Sequence, residues 1–270
     1  MKRRDFLVSS AALGLGLTSS RGEAGAAEPT GGKDILDLRI YHFSSPEQMR
    51  AFEDFVGKAA VPAIQRAGVG PVGVFKVLRE DNRDLKDESQ FLSLYVLRTH
   101  RTLESFLLLP RRMAGDAEFR KDAAGIWDAP KSNPPYSRYE VRLLLSFDAV
   151  PRVETPAKGP DRLLQLRIYE SHSEERAIKK IQMFNTAEVA VFRRCGVNPV
   201  FFGQTLAGTN LPNLQYMTGY QDKAAQEKAW AAFGKDPEWN KLKADPEYKD
   251  TVISETIVDL LMRPAAGSEI

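Results

Sequence analysis

The tetrapeptide Leu38-Arg39-Ile40-Tyr41 recurs as Leu166-Arg167-Ile168-Tyr169, 128 positions later in the chain. At the same offset, Gly68-Val69-Gly70-Pro71-Val72 corresponds to Gly196-Val197-Asn198-Pro199-Val200. Two motifs in one register, with no gap between them, indicate an internal duplication. We therefore expect two copies of one structural unit, with equivalent residues at equivalent places in the two copies.

The pattern within each copy predicts the element order β-α-β-β-α-β. In the first copy, apolar Leu36, Leu38 and Ile40 alternate with other residues, which is typical of a strand. Ser45 is suited to cap the following helix, and Gly68 to end it in a left-handed conformation. We expect a kink at Pro62, because an interior proline costs a helix about 3 kcal/mol. Two strands, a second helix and an apolar closing strand complete the copy.

This element order predicts an α+β fold made of tandem ferredoxin-like repeats. The first repeat spans residues 35–148 and the second spans 163–264, with a proline-rich linker at 149–162. Helices cover one face of such a sheet and leave the other open. Pairing of the two open faces would form a pseudo-dimeric α/β barrel within one chain.

The first 26 residues have the pattern of a signal peptide. Arg3-Arg4 precede Phe6-Leu7, a short apolar run follows, and Ala24-Gly25-Ala26 gives a small-residue cleavage site. Paired arginines in this position are typical of the twin-arginine route. The sequence thus predicts export to the periplasm, with residues 27–34 as a flexible linker and no transmembrane segment after cleavage.

Charge and composition exclude several classes of site. Cleavage would remove four basic and two acidic residues and leave 34 of each, so no basic surface for nucleic acid is expected. The single cysteine, Cys195, excludes an internal disulfide and a cysteine-based metal cluster. The three histidines lack the i, i+4 spacing of a helical metal-ligand pair. We expect neither a metal nor a cofactor.

The alternation of the first strand of each repeat suggests a ligand site. If Leu38 and Ile40 face the helices, Arg39 and Tyr41 face the barrel cavity, as do Arg167 and Tyr169 in the second repeat. Guanidinium groups there would be anchors for an anionic or phenolic ligand. The alternative is a structural network in which the arginines pair with carboxylates such as Glu140 or Asp259.

Other single residues have weaker signals. His42 and His172 follow the first strands and are candidate general bases, with His100 ranked lower. Glu188, on the first helix of the second repeat, is a candidate cavity residue, although an exposed helix face suits it equally. Trp230 has the spacing of a core residue on the second helix.

The second repeat resembles the NIPSNAP family. The resemblance rests on Met183-Phe184-Asn185, Glu188, Phe192 to Gly203, Leu211 to Leu214, Ala229 to Phe233, Asp236 to Trp239 and Leu261 to Pro264. It implies membership of the dimeric α/β-barrel superfamily, which includes cofactor-free monooxygenases, isomerases, haem enzymes and binding proteins. In the first repeat Phe106 replaces Trp230 and Ala60 replaces Glu188, so we expect the second repeat to be the working copy.

The function predicted from these features is binding of a small, partly aromatic or anionic molecule in the barrel, or cofactor-independent catalysis on it. Whether the chain is an enzyme is left open. One alternative is a structural or adaptor protein, with the sheets burying one another and no cavity. Another is a haem-binding barrel, with His42, His172 or His100 as the axial ligand. A homodimer is a candidate assembly.

Overall fold

The computed structural model describes residues 32–248 and 256–270, except for the side chains of residues 256 and 257. The predicted signal peptide and residues 27–31 of the linker behind it lie outside the described residues. The apolar run at residues 253–262 predicts the closing strand of the second repeat, and its first three residues also lie outside the described residues. The statements that follow concern the described part of the chain.

The first repeat has the expected β-α-β-β-α-β order. Its elements are β1 (Ile35–His42), α1 (Pro46–Phe55), a π-helical turn (Val56–Ala60), α2 (Val61–Arg66), β2 (Val72–Val77), β3 (Ser93–His100), α3 (Leu103–Gly115), α4 (Ala117–Asp122) and β4 (Arg138–Ser146). The Ser45 hydroxyl accepts a hydrogen bond from Gln48 N at 3.2 Å, and Gly68 has φ +76°. Both predicted ends of the first helix are thereby confirmed.

The second repeat has the same elements in the same order. They are β5 (Leu163–Glu170), α5 (Glu174–Met183), a π-helical turn (Phe184–Glu188), α6 (Val189–Cys195), β6 (Asn198–Ala207), β7 (Asn213–Tyr220), α7 (Lys223–Lys235), α8 (Pro237–Ala244) and β8 (Thr256–Pro264). The two π-turns lie 128 positions apart, although Ala190 occupies the position of Pro62 in the second repeat. The proline is therefore not the cause of the irregularity.

The eight strands form one closed antiparallel barrel in the order β1-β3-β2-β8-β5-β7-β6-β4. Each repeat contributes four adjacent strands, and the β2–β8 and β4–β6 pairs join the repeats. Four antiparallel steps separate β1 from β5, so these two strands run in the same direction. The pseudo-twofold axis that relates the repeats is thus parallel to the barrel axis, and equivalent strand ends lie at the same end of the barrel.

The barrel lumen is an apolar core. Leu38, Ile40, Leu166 and Ile168 lie in it, with aromatic and aliphatic side chains from both repeats such as Phe75 and Phe201. This corrects the expectation that these four residues face the helices. A closed lumen excludes water along most of its length, so the apolar set of each strand packs there and the other set turns outward to the helices.

Candidate functional site

A cavity of about 360 Å³ lies between the sheet and the helices of the first repeat. Its polar lining consists of Arg39 and Tyr41 from β1, Arg98 from β3, and Tyr136 and Tyr139 before and on β4. Its apolar lining comes from both helix pairs and includes Val56 and Ala60 of the π-turn. Arg39 and Tyr41 thus line a cavity, but it lies outside the barrel and not in the lumen.

Two guanidinium groups at this cavity share one buried carboxylate. The side chain of Asp37 is fully buried, and its Oδ2 accepts a hydrogen bond from Arg98 Nε at 2.8 Å and a second from Arg98 Nη2. Arg39 Nε lies 3.4 Å from Asp37 Oδ1. Burial lowers the pKa of Arg98, although Asp37 opposes the shift. With both arginines charged, the group of three has a net charge of +1.

His100 lies beside this group on the same face of β3. Its Nδ1 is 3.0 Å from Ser105 Oγ, and its Nε2 is 3.9 Å from Asp37 Oδ2. Burial, together with the charge of Arg98, lowers the pKa of His100 to about 4. The imidazole is therefore neutral near pH 7 and does not change the net charge at the cavity.

Aromatic rings form the outer wall of the cavity. The Tyr41 ring lies 4.7 Å from that of Phe52 and stacks on that of Tyr139 at 5.3 Å. Tyr136 meets Tyr41 edge-on at 5.4 Å, and the Arg39 guanidinium lies 5.3 Å above the Tyr139 ring. The site thus combines excess positive charge with flat apolar surfaces.

In the second repeat the equivalent space is filled by larger side chains. Strand pairing places Val96 opposite Arg39 and Tyr216 opposite Arg167, so Val96 and Tyr216 are equivalent. Tyr216 stacks on Phe202 with ring centroids 4.6 Å apart, and both are fully buried. Four pairs show the change from the first repeat to the second: Val56 to Phe184, Ala60 to Glu188, Val74 to Phe202 and Val96 to Tyr216.

The helices that follow β3 and β7 give a fifth pair of equivalent residues. α3 and α7 have equal length, and their N-caps, Thr102 and Asp222, lie 120 positions apart. Trp230 is therefore equivalent to Pro110, which lines the cavity, and not to Phe106 as the sequence alignment had it. Trp230 packs edge-on against Phe192 and donates a hydrogen bond to Gln165 at 2.6 Å, which is a core role.

The predicted site residues of the second repeat lie in this filled interior. Arg167 is 3.5 Å from Asp259 and lies over the rings of Tyr169 and Trp230. Tyr169 is buried, with its hydroxyl 3.1 Å from that of Tyr216. Glu188 is buried, and its Oε2 lies 3.6 Å from Lys180 Nζ, so Glu188 is not on an exposed helix face. The candidate ligand-binding site therefore lies in the first repeat, whereas the sequence had suggested the second.

The two histidines predicted as general bases do not line the cavity. His42 is at one end of the lumen, where its ring nitrogens lie 3.0 Å from Ser93 Oγ and 3.2 Å from Glu140 Oε1. His172 is exposed just after β5. None of the three histidines lines the cavity, so none is placed to ligate a haem iron there.

Sequence reasoning missed Asp37, Arg98, Tyr136 and Tyr139. Asp37 and Arg39 are two residues apart on one strand, so they share a face, and this signal was available. Arg98 is brought to them only by the pairing of β1 with β3, and the two tyrosines only by the return of the chain to β4.

Within residues 32–248 and 256–270, no cluster of His, Cys, Asp and Glu side chains has the geometry of a metal site. No helix in that part of the chain is long and apolar enough to cross a membrane.

These features define a pseudo-dimeric α/β-barrel protein whose first repeat has an open cavity between sheet and helices. Residues 164–268 match the NIPSNAP family model. The chain thus contains a NIPSNAP domain, formed by its second repeat. No functionally curated protein shows significant sequence similarity to the chain.

Solved structures with this fold align with both repeats. A proposed monooxygenase from Lactobacillus acidophilus has a TM-score of 0.54 at 13% identity, with 88% of this chain and 98% of that one covered. A proposed monooxygenase from Fusobacterium nucleatum has a TM-score of 0.51 at 9% identity, over 87% and 94%. An anthrone oxidase-like protein has a TM-score of 0.50 at 12% identity, over 90% and 97%. At these identities the likeness concerns the fold alone.

Proposed function

We propose that the cavity of the first repeat binds a small molecule with an aromatic body and an anionic or phenolic group. The observation that carries this proposal is the sharing of one buried carboxylate, Asp37, by the guanidinium groups of Arg39 and Arg98. Unpaired charge is costly to bury. A ligand anion would supply the second negative charge and accept charge-assisted hydrogen bonds.

The aromatic rings that line the cavity favour an aromatic ligand. The rings of Tyr41, Phe52, Tyr136 and Tyr139 surround it, and such rings favour offset-stacked or edge-on contacts with another ring. A volume of about 360 Å³ lies at the lower end of the range of small-molecule pockets, roughly 300–1,000 Å³. Three proteins of the same fold are named for monooxygenase or oxidase activity, which is compatible with a small organic ligand.

The alternatives give different expectations for this cavity. An adaptor protein with no ligand cavity does not account for the small side chains of Val56, Ala60, Val96 and Pro110, which line the cavity where the second repeat has larger residues. A haem protein needs an axial ligand, and the histidines lie elsewhere. Small-molecule binding is therefore the function that the geometry of the first repeat supports best.

The matched pair Arg39→Met and Arg167→Met tests the proposal, with 2-naphthoate as the probe. Arg39→Met removes a charge at the open cavity and should weaken 2-naphthoate binding by about 10-fold or more, because a charge-assisted hydrogen bond contributes about 1.5–3 kcal/mol. Arg167→Met makes the same change in the filled repeat and should leave the affinity unchanged. Isothermal titration calorimetry gives both affinities.

Two results would contradict the proposal. One is equal affinity of wild type and Arg39→Met for 2-naphthoate. The other is equal binding of 2-naphthoate and the uncharged 2-naphthamide by the wild type. A melting curve for each variant separates loss of binding from loss of folding.

We also propose that residues 1–26 direct export by the twin-arginine route to the periplasm. The support is the sequence pattern alone: Arg3-Arg4, Phe6-Leu7, a short apolar run and an Ala24-Gly25-Ala26 cleavage site.

A further inference from the structure

We propose a second binding site at one end of the barrel lumen, for a small molecule that carries both a carboxylate and an ammonium group. A cavity of about 580 Å³ opens there. Both repeats line it, with Tyr95 and Arg142 from the first, and Ile168, Gln215 and Leu260 from the second. It is separate from the cavity of the first repeat, because Ile40 and His42 face the lumen while Arg39 and Tyr41 face the helices.

Arg142 is a cation inside this cavity, and the described residues do not satisfy all of its hydrogen-bond donors. Its Nη1 donates a long hydrogen bond to Gln215 Oε1 at 3.4 Å, and its Nη2 forms an ion pair with Glu140 Oε2 at 3.7 Å, beyond hydrogen-bonding distance. Its Nε is buried with no acceptor among the residues that the structure describes. The other oxygen of Glu140 lies 3.2 Å from His42 Nε2. A ligand carboxylate would accept charge-assisted hydrogen bonds from this guanidinium.

The repeats differ sharply at this position. β1 pairs Leu38 with Arg142 and β5 pairs Leu166 with Leu260, so Arg142 and Leu260 are equivalent and lie at the same depth. Leucine is the residue expected in the apolar lumen. Burying the charge of an arginine there is unfavourable, and apolar packing does not compensate for it. A bound anion would offset this cost.

The rim of the cavity has the opposite charge. Asp87 and Glu170 line it against one lysine, Lys86, whereas the carboxylate of Asp259, which also borders it, is paired with Arg167 at 3.5 Å. Each carboxylate has a donor: Gln90 Nε2 for Asp87, Asn210 Nδ2 for Glu170 at 3.1 Å, and Gln165 Nε2 for Asp259 at 2.7 Å. Their excess negative charge disfavours a simple anion and favours a ligand that carries an ammonium group at the rim.

The order of the lining along the lumen follows from the strand geometry. Arg142 lies at the level of Leu166, and Glu170 is four residues beyond Leu166 on β5, nearer the rim. Between these levels the lining includes the apolar side chains of Leu85, Ile168 and Val258 as well as polar ones. A short alkyl chain with a carboxylate at one end and an ammonium at the other matches this order of surfaces.

The probe is 6-aminohexanoate, with hexanoate and hexylamine as single-charge controls. On the wild-type protein, calorimetry should show saturable binding of 6-aminohexanoate at least about tenfold tighter than of either control. Arg142→Leu, which copies the residue of the second repeat, should abolish this binding. Glu170→Gln should reduce the preference for 6-aminohexanoate over hexanoate. Arg39→Met, in the other cavity, should change neither.

The proposal is overturned if 6-aminohexanoate does not saturate the wild type, if hexanoate binds equally well, or if Arg142→Leu binds as the wild type does. Should Arg142→Leu fail to fold, the Nε–H signal of Arg142 in ¹⁵N-labelled wild type replaces it. That signal should shift on titration with 6-aminohexanoate, and an unmoved signal rejects the site. Binding of 2-naphthoate at the first-repeat cavity is measured independently, so failure of one proposal leaves the other standing.

Discussion

At the scale of single residues, Asp37 organises the candidate site. It is fully buried, it lies between Arg39 and Arg98, and its Oδ2 is 3.9 Å from His100 Nε2. In the second repeat Gln165, Thr218 and Tyr220 stand at the positions of Asp37, Arg98 and His100. At these three positions, charged side chains are thus found in the first repeat and not in the second.

The lowered pKa of His100 predicts how the free energy of unfolding depends on pH. Its pKa falls from 6.5 in the unfolded chain to about 4 in the folded protein, because it is buried beside Arg98. Between these values the unfolded chain binds more protons, so the free energy of unfolding decreases as the pH falls from about 6.5 to about 4. The loss due to His100 should approach about 3 kcal/mol at about 1.4 kcal/mol per pKa unit.

His100→Gln isolates this contribution from those of the carboxylates. We expect the drop in unfolding free energy from pH 7 to pH 4, measured by urea denaturation, to be smaller in the variant than in the wild type. An equal drop in both proteins would show that His100 is not held neutral by the fold.

At the scale of elements, the first helix of each repeat is interrupted by a π-turn at the same place. In the first repeat Val56 and Ala60 of this turn line the cavity, whereas in the second Phe184 and Glu188 are buried. π-Turns inside helices are frequent at functional sites. Here the common turn supplies the geometry, and the size of the side chains on it and on β3 decides whether space remains.

Val96→Tyr on β3 tests this account, because it introduces the residue that the second repeat has at Tyr216. The new ring should occupy the cavity and reduce 2-naphthoate binding by at least about tenfold, while the free energy of unfolding changes by less than about 1.5 kcal/mol. Val96→Ala is the control, since it enlarges the cavity. It should keep the binding and cost roughly 1–3 kcal/mol. Unchanged affinity in Val96→Tyr would place the ligand elsewhere.

At the scale of the whole molecule, the chain closes its barrel by itself. Equivalent strands of the two repeats are related by an axis along the barrel, and the pairs β2–β8 and β4–β6 leave no open sheet edge. Equivalent strand ends of the two repeats lie at the same opening of the lumen. A single chain can therefore carry two different sites, one inside a repeat and one between repeats.

The export proposal is also a property of the whole chain. Changing Arg3 and Arg4 together to lysine should leave the precursor in the cytoplasm, because the twin-arginine route reads the arginine pair and not the charge. Arg21→Lys, outside the motif, is the control and should be exported normally. Cell fractionation and N-terminal sequencing, with Ala27 expected as the first mature residue, measure the outcome. Normal export of the double variant would reject the route.

The sequence by itself determined the order and the repetition of the elements. The shared offset of Leu38 with Leu166 and of Gly68 with Gly196 established the duplication, and local chemistry placed the helix start at Ser45 and its end at Gly68. These features depend on residues close together in the chain, for which propensity and capping are sufficient.

Only the tertiary structure decided which face of each strand is enclosed and where a cavity remains. Alternation separates Leu38 and Ile40 from Arg39 and Tyr41, but both sets are largely covered, so the pattern does not distinguish lumen from helix interface. The cavity depends on Val56, Val96 and Pro110, which lie on three elements and meet only in the fold. The pairing of Asp37 with Arg98, 61 residues apart, has the same origin. Such contacts depend on strand register and side-chain volume, which no local pattern contains.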